Sequence, residues 1–233
     1  MSPFKVIAFD ADDTLWVNEP IFTETQEKFK AIVGPYLHPD GKDLEDILYQ
    51  TELRNLRLFG YGIKGFTLSM IETGIEISRG KMTATEIAQV IEMGKEMLEH
   101  PVELLPGVRE TIEGLQGRYE LMVITKGDLF DQESKLARSG IADLFQRIEV
   151  VSEKDEPTYQ EVLQRNGVDM STFLMVGNSL KSDILPICRL GGRAVHIPFH
   201  TTWQHEQLEQ HRIDGHDYAE LPDISLLPGF LEL

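Results

Sequence analysis

Three carboxylates crowd into four positions near the start of the chain. Asp10, Asp12 and Asp13 follow the apolar run 4–9, which is typical of a buried parallel strand. Carboxylates this close repel one another unless a cation or a proton offsets their charge. In an open α/β sheet, ligands bind at the carboxyl ends of the strands. The cluster therefore predicts a reactive or metal-binding site, and an acidic turn that caps the next helix is the plainer alternative.

The residues of this first cluster suit different chemical tasks. Asp10 lies directly at the strand end, where a carboxylate can bind a metal or act as a nucleophile that becomes an acyl-phosphate. Asp12, two positions on, can point into the same crevice and handle a proton while its neighbour attacks. Thr14 can hydrogen-bond the turn and fix its geometry, or it can cap a helix; both interpretations stay open.

Polar residues also follow the later apolar runs. Thr125 and Lys126 end the second run, and a hydroxyl with free backbone amides suits an oxyanion such as phosphate. Lys154 is the one base in the acidic loop after the third run, where a surface ion pair is the alternative. Asn178 and Asp183 follow the fourth run, and Asp183 is either an oxygen ligand or a charge at the start of a helix. All of these can converge on one crevice for Mg²⁺ and a phosphate.

The elements that must position these residues alternate along most of the chain. Strands are predicted at residues 6–9, 121–124, 148–151, 173–176 and 194–197. Helices are predicted at residues 107–115, 129–138 and 158–165, each followed closely by glycine. This alternation predicts an α/β fold with a parallel sheet and crossover helices.

A second region contains no convincing strand. Amphipathic helices are predicted at residues 21–33, 44–58, 66–78 and 85–98. Thr83 and Glu86 have the spacing of a capping box at the start of the last of them. An all-helical block after the first strand predicts a separate small domain over the strand ends. We therefore expect a helical domain at residues 18–100 and an α/β core formed by residues 1–17 and 101–233.

Composition limits the classes of protein. The 233 residues are 41% hydrophobic and 26% charged, which is ordinary for a soluble globular enzyme. A net charge of -17 argues against nucleic acid as a partner, because phosphate backbones need a basic surface. No apolar stretch reaches the length of a membrane span, so we expect no membrane partner and a cytoplasmic location. The single cysteine, Cys188, rules out an internal disulfide framework. The sequence does not indicate an oligomeric state.

The joint order of these residues resembles the haloacid dehalogenase (HAD) superfamily of hydrolases over the whole core. The matching residues are Asp10, Asp12 and Thr14 in the first motif, Thr125 in the second, Lys154 in the third and the segment 178–183 in the acidic fourth. The helical block resembles the family's C1-type cap. The resemblance implies a Rossmann-like, HAD-like parallel-sheet core with an inserted all-helical cap domain.

The resemblance also implies a role for each matched residue. Asp10 would be the nucleophile and a Mg²⁺ ligand, and Asp12 would be the general acid/base that gives the metal its backbone carbonyl. Thr125 and the amide of Lys126 would hold the phosphoryl oxygens. Lys154 would bind both the phosphoryl group and Asp10.

The metal shell departs from the family pattern at one position. Residue 178 is Asn where many members carry Asp. An amide oxygen can still bind Mg²⁺, but it adds no negative charge. We therefore expect Asp183, which would complete the shell, to contribute more to metal binding than Asn178.

The function implied is that of a Mg²⁺-dependent phosphatase, which hydrolyses a small phosphorylated metabolite through an aspartyl-phosphate. The helical cap would close to exclude water. Other HAD-type hydrolases and a sugar-phosphate mutase remain alternatives. A dehalogenase needs no leaving-group acid, so Asp12 argues against it, and no cap lysine stands out for phosphonate cleavage. A phospho-accepting signalling domain is the alternative from another class.

Overall fold

The computed structural model describes residues 3–38, 43–201, 203–206 and 218–232. The chain divides into two compact units, one formed by residues 1–19 and 102–233 and the other by residues 20–101. The first unit is α/β and the second is helical. In the described part of the chain, no helix combines the length and the apolar character that crossing a bilayer requires.

The first unit is built on one parallel sheet. Its described strands are β1 (Val6–Phe9), β2 (Glu120–Lys126), β3 (Arg147–Val151), β4 (Phe173–Gly177), β5 (Arg193–His196) and β6 (Ala219–Glu220). Their order across the sheet is β3-β2-β1-β4-β5-β6, and every paired neighbour is parallel. The predicted α/β fold with a parallel, Rossmann-like sheet is therefore confirmed.

The helices of this unit lie between the strands or after the last of them. They are α5 (Val108–Leu115), α6 (Leu129–Ser139), α7 (Glu156–Asn166), α8 (Leu185–Arg189) and α9 (Leu227–Glu232). Asp183 lies in the first turn of a helical segment, as predicted, and this segment begins as a π-helical turn, Leu180–Ile184, that leads into α8. Strand β6 and helix α9 lie in the last described residues of the chain. Leu227 and Leu231 of α9 are buried in the core, as amphipathic packing requires.

Each face of the sheet carries its own apolar core. Side chains alternate along a strand, so Ile7 and Phe9 of β1 pack on one face while Val6 and Ala8 pack on the other. All four β1 residues are buried. Burial on both faces explains why this strand reads as a continuous apolar run, and it fixes the point at which the next residue, Asp10, leaves the sheet.

The second unit contains four helices in its described residues. They are α1 (Glu19–Val33), whose first residue belongs to the α/β unit, α2 (Leu44–Phe59), α3 (Ile63–Ile77) and α4 (Ala84–Glu99). Buried apolar residues such as Phe29, Leu48 and Met70 form its core. The predicted capping box is present at α4, where the Thr83 side chain accepts from the Glu86 amide and the Glu86 side chain accepts from the Thr83 amide.

Candidate active site

The carboxyl ends of four adjacent strands meet at one edge of the sheet. The strand order reverses at β1, which lies between β2 and β4, and α/β sheets bind ligands at such switch points. Asp10 follows β1, Thr125 lies near the end of β2, Lys154 follows β3 and Asn178 follows β4. The fold therefore places the residues predicted from separate parts of the sequence on neighbouring loops.

Lys154 joins two buried carboxylates at this edge. Its ammonium lies 2.5 Å from Asp10 Oδ1 and 2.7 Å from Asp183 Oδ1, and the Lys154 and Asp183 side chains are each only 1% exposed. The alternative of a surface ion pair for Lys154 is therefore wrong. Burial by itself would lower the pKa of Lys154, but the charges of Asp10 and Asp183 raise it above its usual range. Lys154 is thus a permanent cation in the site.

One ammonium does not balance two buried acids. Burial raises the pKa of Asp10, the charge of Asp183 raises it further, and Lys154 only partly lowers it. The cluster formed by these three side chains carries one surplus negative charge when both acids are ionised. A buried surplus of this kind favours a proton or a bound cation beside the two carboxylates.

Asp12 lies in a different environment from Asp10. Its Oδ1 accepts from Trp16 Nε1 at 2.7 Å and from Lys135 Nζ at 2.6 Å, and its Oδ2 accepts from Gln132 Nε2 at 2.8 Å. Burial alone would raise the pKa of Asp12, but the Lys135 charge and these three hydrogen bonds lower it below its usual range. The pKa values of Asp10 and Asp12 are therefore shifted in opposite directions, as different chemical roles require.

Asp13 has a structural role. Its carboxylate accepts hydrogen bonds from the backbone amides of Asn18 and Glu19, where α1 begins. Burial raises the pKa of Asp13 to about 7, against the lowering effect of the amide of Asn18. Its φ of 60° is left-handed, a conformation that Asp adopts more readily than most residues. The capping role, left open for this cluster, falls to Asp13.

Thr14 ties the first motif to the loop after β4. Its hydroxyl lies 3.0 Å from Asp10 Oδ2 and 3.2 Å from Asn178 Oδ1, and it accepts from the Asn178 amide at 3.0 Å. Thr14 therefore fixes the turn, the first of its two proposed roles. The Asn178 carbonyl contacts Nε2 of His196 at 3.0 Å, so β5 also holds this loop.

The two residues of β2 that were predicted to bind phosphate, Thr125 and Lys126, lie in different environments. Thr125 is buried, and Lys126 directs its side chain to Glu206, whose Oε1 lies 2.5 Å from Lys126 Nζ. The hydroxyls of Ser179 and Ser182 donate to the other oxygen of Glu206. Because the Lys126 ammonium is paired in this way, only its backbone amide remains as a candidate for the predicted phosphate contact.

Gly177 leaves the space that Asp183 occupies. A Cβ built at residue 177 would lie 2.3 Å from Asp183 Oδ2, closer than any real contact. The same oxygen accepts from the Ser179 amide at 2.9 Å, which orients the carboxylate. The lack of a side chain at residue 177 thus lets Asp183 fold back over the end of β4.

The donor set of this edge fits Mg²⁺. In the described residues, no three His, Cys, Asp or Glu side chains form a complete metal cage. Mg²⁺ does not need one, because it is usually bound by one or two carboxylates together with water and substrate phosphate. Asp10 and Asp183 supply two buried carboxylates that share Lys154, and the Asn178 amide oxygen lies next to Asp10 through Thr14. The surplus negative charge is also what a hard cation would offset.

The sequence did not predict the residues that contact Asp12 or the ion pair between Lys126 and Glu206. Gln132 and Lys135 lie on α6, 120 and 123 residues away from Asp12 in the chain, and Glu206 lies 80 residues after Lys126. Nothing in their local sequence distinguishes them from a solvated helix face or a loop. Their spacing of three on one helix was the only available signal, because residues so spaced share a face.

The family of the chain follows from a direct comparison. Residues 4–191 match the model of the haloacid dehalogenase-like hydrolases. The chain therefore belongs to this family, in agreement with its sheet topology and with the motif residues gathered at the strand ends. Family membership and the helical unit inserted after β1 also argue against the alternative of a phospho-accepting signalling domain.

Three individual proteins illustrate the similarity. A haloacid dehalogenase-like family hydrolase from Xanthomonas campestris is 41% identical, with a TM-score of 0.87 over 99% of this chain and 91% of that one. The pyrimidine 5'-nucleotidase YjjG of Escherichia coli (strain K12) is 26% identical over 185 residues, 77% of this chain and 79% of that protein. YfnB of Bacillus subtilis, solved bound to magnesium, shares the fold at 17% identity, with a TM-score of 0.68 over 99% of both chains.

Proposed function

We propose that this hydrolase is a Mg²⁺-dependent phosphatase that cleaves a small phosphomonoester through a phosphorylated Asp10. The observation that carries the proposal is the buried contact of Lys154 with both Asp10 and Asp183. Through this contact the proposed nucleophile, Asp10, and the second carboxylate, Asp183, share one ammonium at the switch point. The pair of carboxylates keeps one negative charge that a cation can offset. This arrangement supports phosphoryl transfer to a carboxylate with the help of a metal ion.

In the first step, a carboxylate oxygen of Asp10 attacks phosphorus. The new bond joins Asp10 to phosphorus, and the bond from phosphorus to the ester oxygen breaks. That oxygen leaves with the bonding electrons and takes a proton from Asp12. Asp12 is ionised before substrate binds because its pKa is lowered, and the negative charge of a bound phosphoryl group favours its protonated form.

In the second step, a water molecule attacks the phosphorus of the aspartyl-phosphate. Asp12, now ionised, accepts the proton of this water, and the bond between phosphorus and Asp10 breaks to restore the carboxylate. The same residue thus acts as acid and then as base. Thr14 keeps Asp10 in place through both steps by the hydrogen bond to Oδ2.

The phosphoryl oxygens need donors, and three are proposed: the Thr125 hydroxyl, the Lys126 amide and the Lys154 ammonium. Mg²⁺ would be held by Asp10, Asp183, Asn178 and the Asp12 carbonyl, and when bound it would supply positive charge against the phosphoryl oxygens. A net charge of -17 makes such local positive charge necessary for an anionic substrate.

We propose no nucleic acid or membrane partner.

The test is phosphate release by the purified protein with Mg²⁺ and with a chelator in its place. 4-Nitrophenyl phosphate serves as the generic substrate, followed by sugar phosphates, phosphoglycolate-like acids and nucleoside 5'-monophosphates, the last because one relative is a pyrimidine 5'-nucleotidase. We expect activity that requires Mg²⁺ and is abolished in Asp10→Asn. Activity retained in Asp10→Asn would contradict the mechanism, and an isomerised sugar phosphate in place of free phosphate would identify a mutase.

A further inference from the structure

Three donors hold the side chain of Asp12 from three directions. Trp16 and Lys135 donate to Oδ1, and Gln132 donates to Oδ2, at distances between 2.6 and 2.8 Å. A carboxylate offers about four lone-pair positions, two on each oxygen. Oδ1 is therefore saturated, whereas Oδ2 keeps one position. A proton carried by Asp12 has only this position on Oδ2 to occupy while the three contacts persist.

The two donors on α6 are themselves anchored. Lys135 Nζ also contacts Asn18 Oδ1 at 3.2 Å and Asp131 Oδ2 at 3.8 Å, and its side chain is only 11% exposed. Gln132 Nε2 lies 3.4 Å from the Lys126 carbonyl. Such contacts limit the rotamers of both side chains, so the Asp12 carboxylate plane is set by α6 rather than by the turn alone.

The contact of Gln132 with Asp12 leaves the other polar atom of the Gln132 side chain unpaired among the described residues. The residue is 4% exposed, and within the described part of the protein its Oε1 is buried without a hydrogen-bond partner. A buried, unpartnered acceptor destabilises the folded state, because it has lost its contacts with water and gained no donor. Gly127 provides the room, because a Cβ there would lie 2.9 Å from Gln132 Nε2. A glutamine needed only for packing could be replaced by an apolar residue without this cost.

We propose that Gln132 and Lys135 are positioning residues for proton transfer, which orient Asp12 so that the transferred proton is carried on Oδ2. The inference rests on the proposed function, since it assigns these residues to the acid/base step of that reaction. Neither residue touches the reacting atoms. Both act through Asp12, and proton transfer by a positioned side chain contributes about 10²- to 10⁴-fold to the rate.

The test compares substrates that need a general acid with substrates that do not. We would measure kcat/KM, which reports the steps up to departure of the first product, for a series of substituted phenyl phosphates from 4-nitrophenyl to 4-methoxyphenyl. The variants are Lys135→Met and Gln132→Met, with Lys135→Arg as the conservative rescue. Arg138→Met is the matched control, because it removes one positive charge from an exposed position on the same helix.

Lys135→Met and Gln132→Met should each lose more activity on substrates with poorer leaving groups. We expect a loss of about 100-fold or more for 4-methoxyphenyl phosphate and of less than about 5-fold for 4-nitrophenyl phosphate. Lys135→Arg should recover most of the loss, and Arg138→Met should match wild type throughout. Gln132→Met exchanges one neutral side chain for another of similar size, so it carries the test alone if Lys135→Met does not fold.

An equal loss on every aryl phosphate, or no loss, would overturn the inference, because disturbed folding or substrate binding does not depend on the leaving group. This outcome differs from failure of the proposed function. If wild-type protein releases no phosphate, or if Asp10→Asn remains active, the phosphatase proposal itself falls.

Discussion

At the scale of single residues, the site depends on one buried cation. Lys154 stands between Asp10 and Asp183, which come from loops after different strands. Removing one partner of a buried ion pair leaves the other charge without compensation, and this usually costs more than the pair contributes. The stability of this edge of the sheet and its chemistry are therefore linked through the same side chain.

Replacement of Lys154 by Met should destabilise the protein strongly. We expect the free energy of unfolding to fall by about 3 kcal/mol, because both carboxylates lose their buried partner. Urea denaturation at neutral pH measures this value. Lys28→Met is the control, since Lys28 pairs with Glu24 on the surface and its loss should cost less than about 1 kcal/mol. Similar losses in the two variants would contradict the electrostatic account of Lys154.

The two proposed metal ligands after β4 should contribute unequally. Asp183 is 1% exposed and charged, whereas Asn178 is neutral and its Oδ1 is already within hydrogen-bond distance of Thr14. We expect Asp183→Ala to raise the Mg²⁺ concentration needed for half-maximal activity by at least about 10-fold more than Asn178→Ala does, since a carboxylate is the stronger ligand. A Mg²⁺ titration of activity measures both, and equal effects would contradict this division.

The motif residues of the site could be predicted from sequence because each follows an apolar strand. Asp10, Thr125 and Lys154 therefore stood out by position as well as by type. Gln132 and Lys135 did not, since a polar residue on an amphipathic helix is most often solvated. Only the packing of α6 against the first motif reveals their contact with Asp12.

At the scale of elements, a short 3₁₀ turn, Gln204–Glu206, supports the π-helical turn after β4. Glu206 accepts from Lys126, Ser179 and Ser182, and these contacts join the ends of β2 and β4. Burial would raise the pKa of Glu206, but the Lys126 charge and the three donors lower it to about 2. A carboxylate with a lowered pKa stabilises the folded state only while it is ionised.

Glu206→Gln should reveal this contribution through its pH dependence. At pH 7 we expect the variant to be less stable by about 2–3 kcal/mol, because the Lys126 ammonium, whose side chain is 15% exposed, loses its nearest counter-charge. The pKa in the unfolded chain is near the usual value of 4.5. The difference in the free energy of unfolding between Glu206→Gln and wild type should therefore be largest above that pH. It should shrink as the pH falls from about 4.5 towards 2.

Urea denaturation of both proteins across this pH range measures the difference. Glu161→Gln is the control, because Glu161 is an exposed residue whose ion pair with Arg165 is long, at 3.8 Å. A difference between Glu206→Gln and wild type that does not change with pH would show that the ion pair with Lys126 is not its source.

Element prediction succeeded where local pattern decides structure. Strand β1 is a continuous apolar run with the predicted bounds of 6–9, and the helices α1–α4 follow amphipathic periodicity and a capping box. Strand β6 has only two residues, Ala219–Glu220, and its pairing with β5 is a tertiary contact that no local pattern specifies. The π-helical turn at Leu180–Ile184 was missed for the same reason, since it depends on how Asp183 folds over Gly177.

At the scale of the whole molecule, a strongly acidic protein is proposed to bind an anion. Among the described residues, three lysines near this edge of the sheet are already paired with acids: Lys154 with Asp10 and Asp183, Lys126 with Glu206 and Lys135 with Asp12. Bound Mg²⁺ is therefore the proposed source of the additional positive charge, and we expect phosphate binding and metal binding to depend on each other. The sequence predicted this chemistry, and the choice of substrate remained open because no motif in the helical unit specifies it.

The most direct test of the central claim is detection of the phosphoryl group on Asp10 during turnover. Wild-type protein would be mixed with Mg²⁺ and 4-nitrophenyl phosphate, quenched with acid within a single turnover, and digested for mass spectrometry. We predict one phosphoryl group on the peptide that contains Asp10, formed and lost at rates that account for phosphate release, and none in Asp10→Asn. Phosphate release without this adduct, or with the phosphoryl group on another residue, would contradict the mechanism.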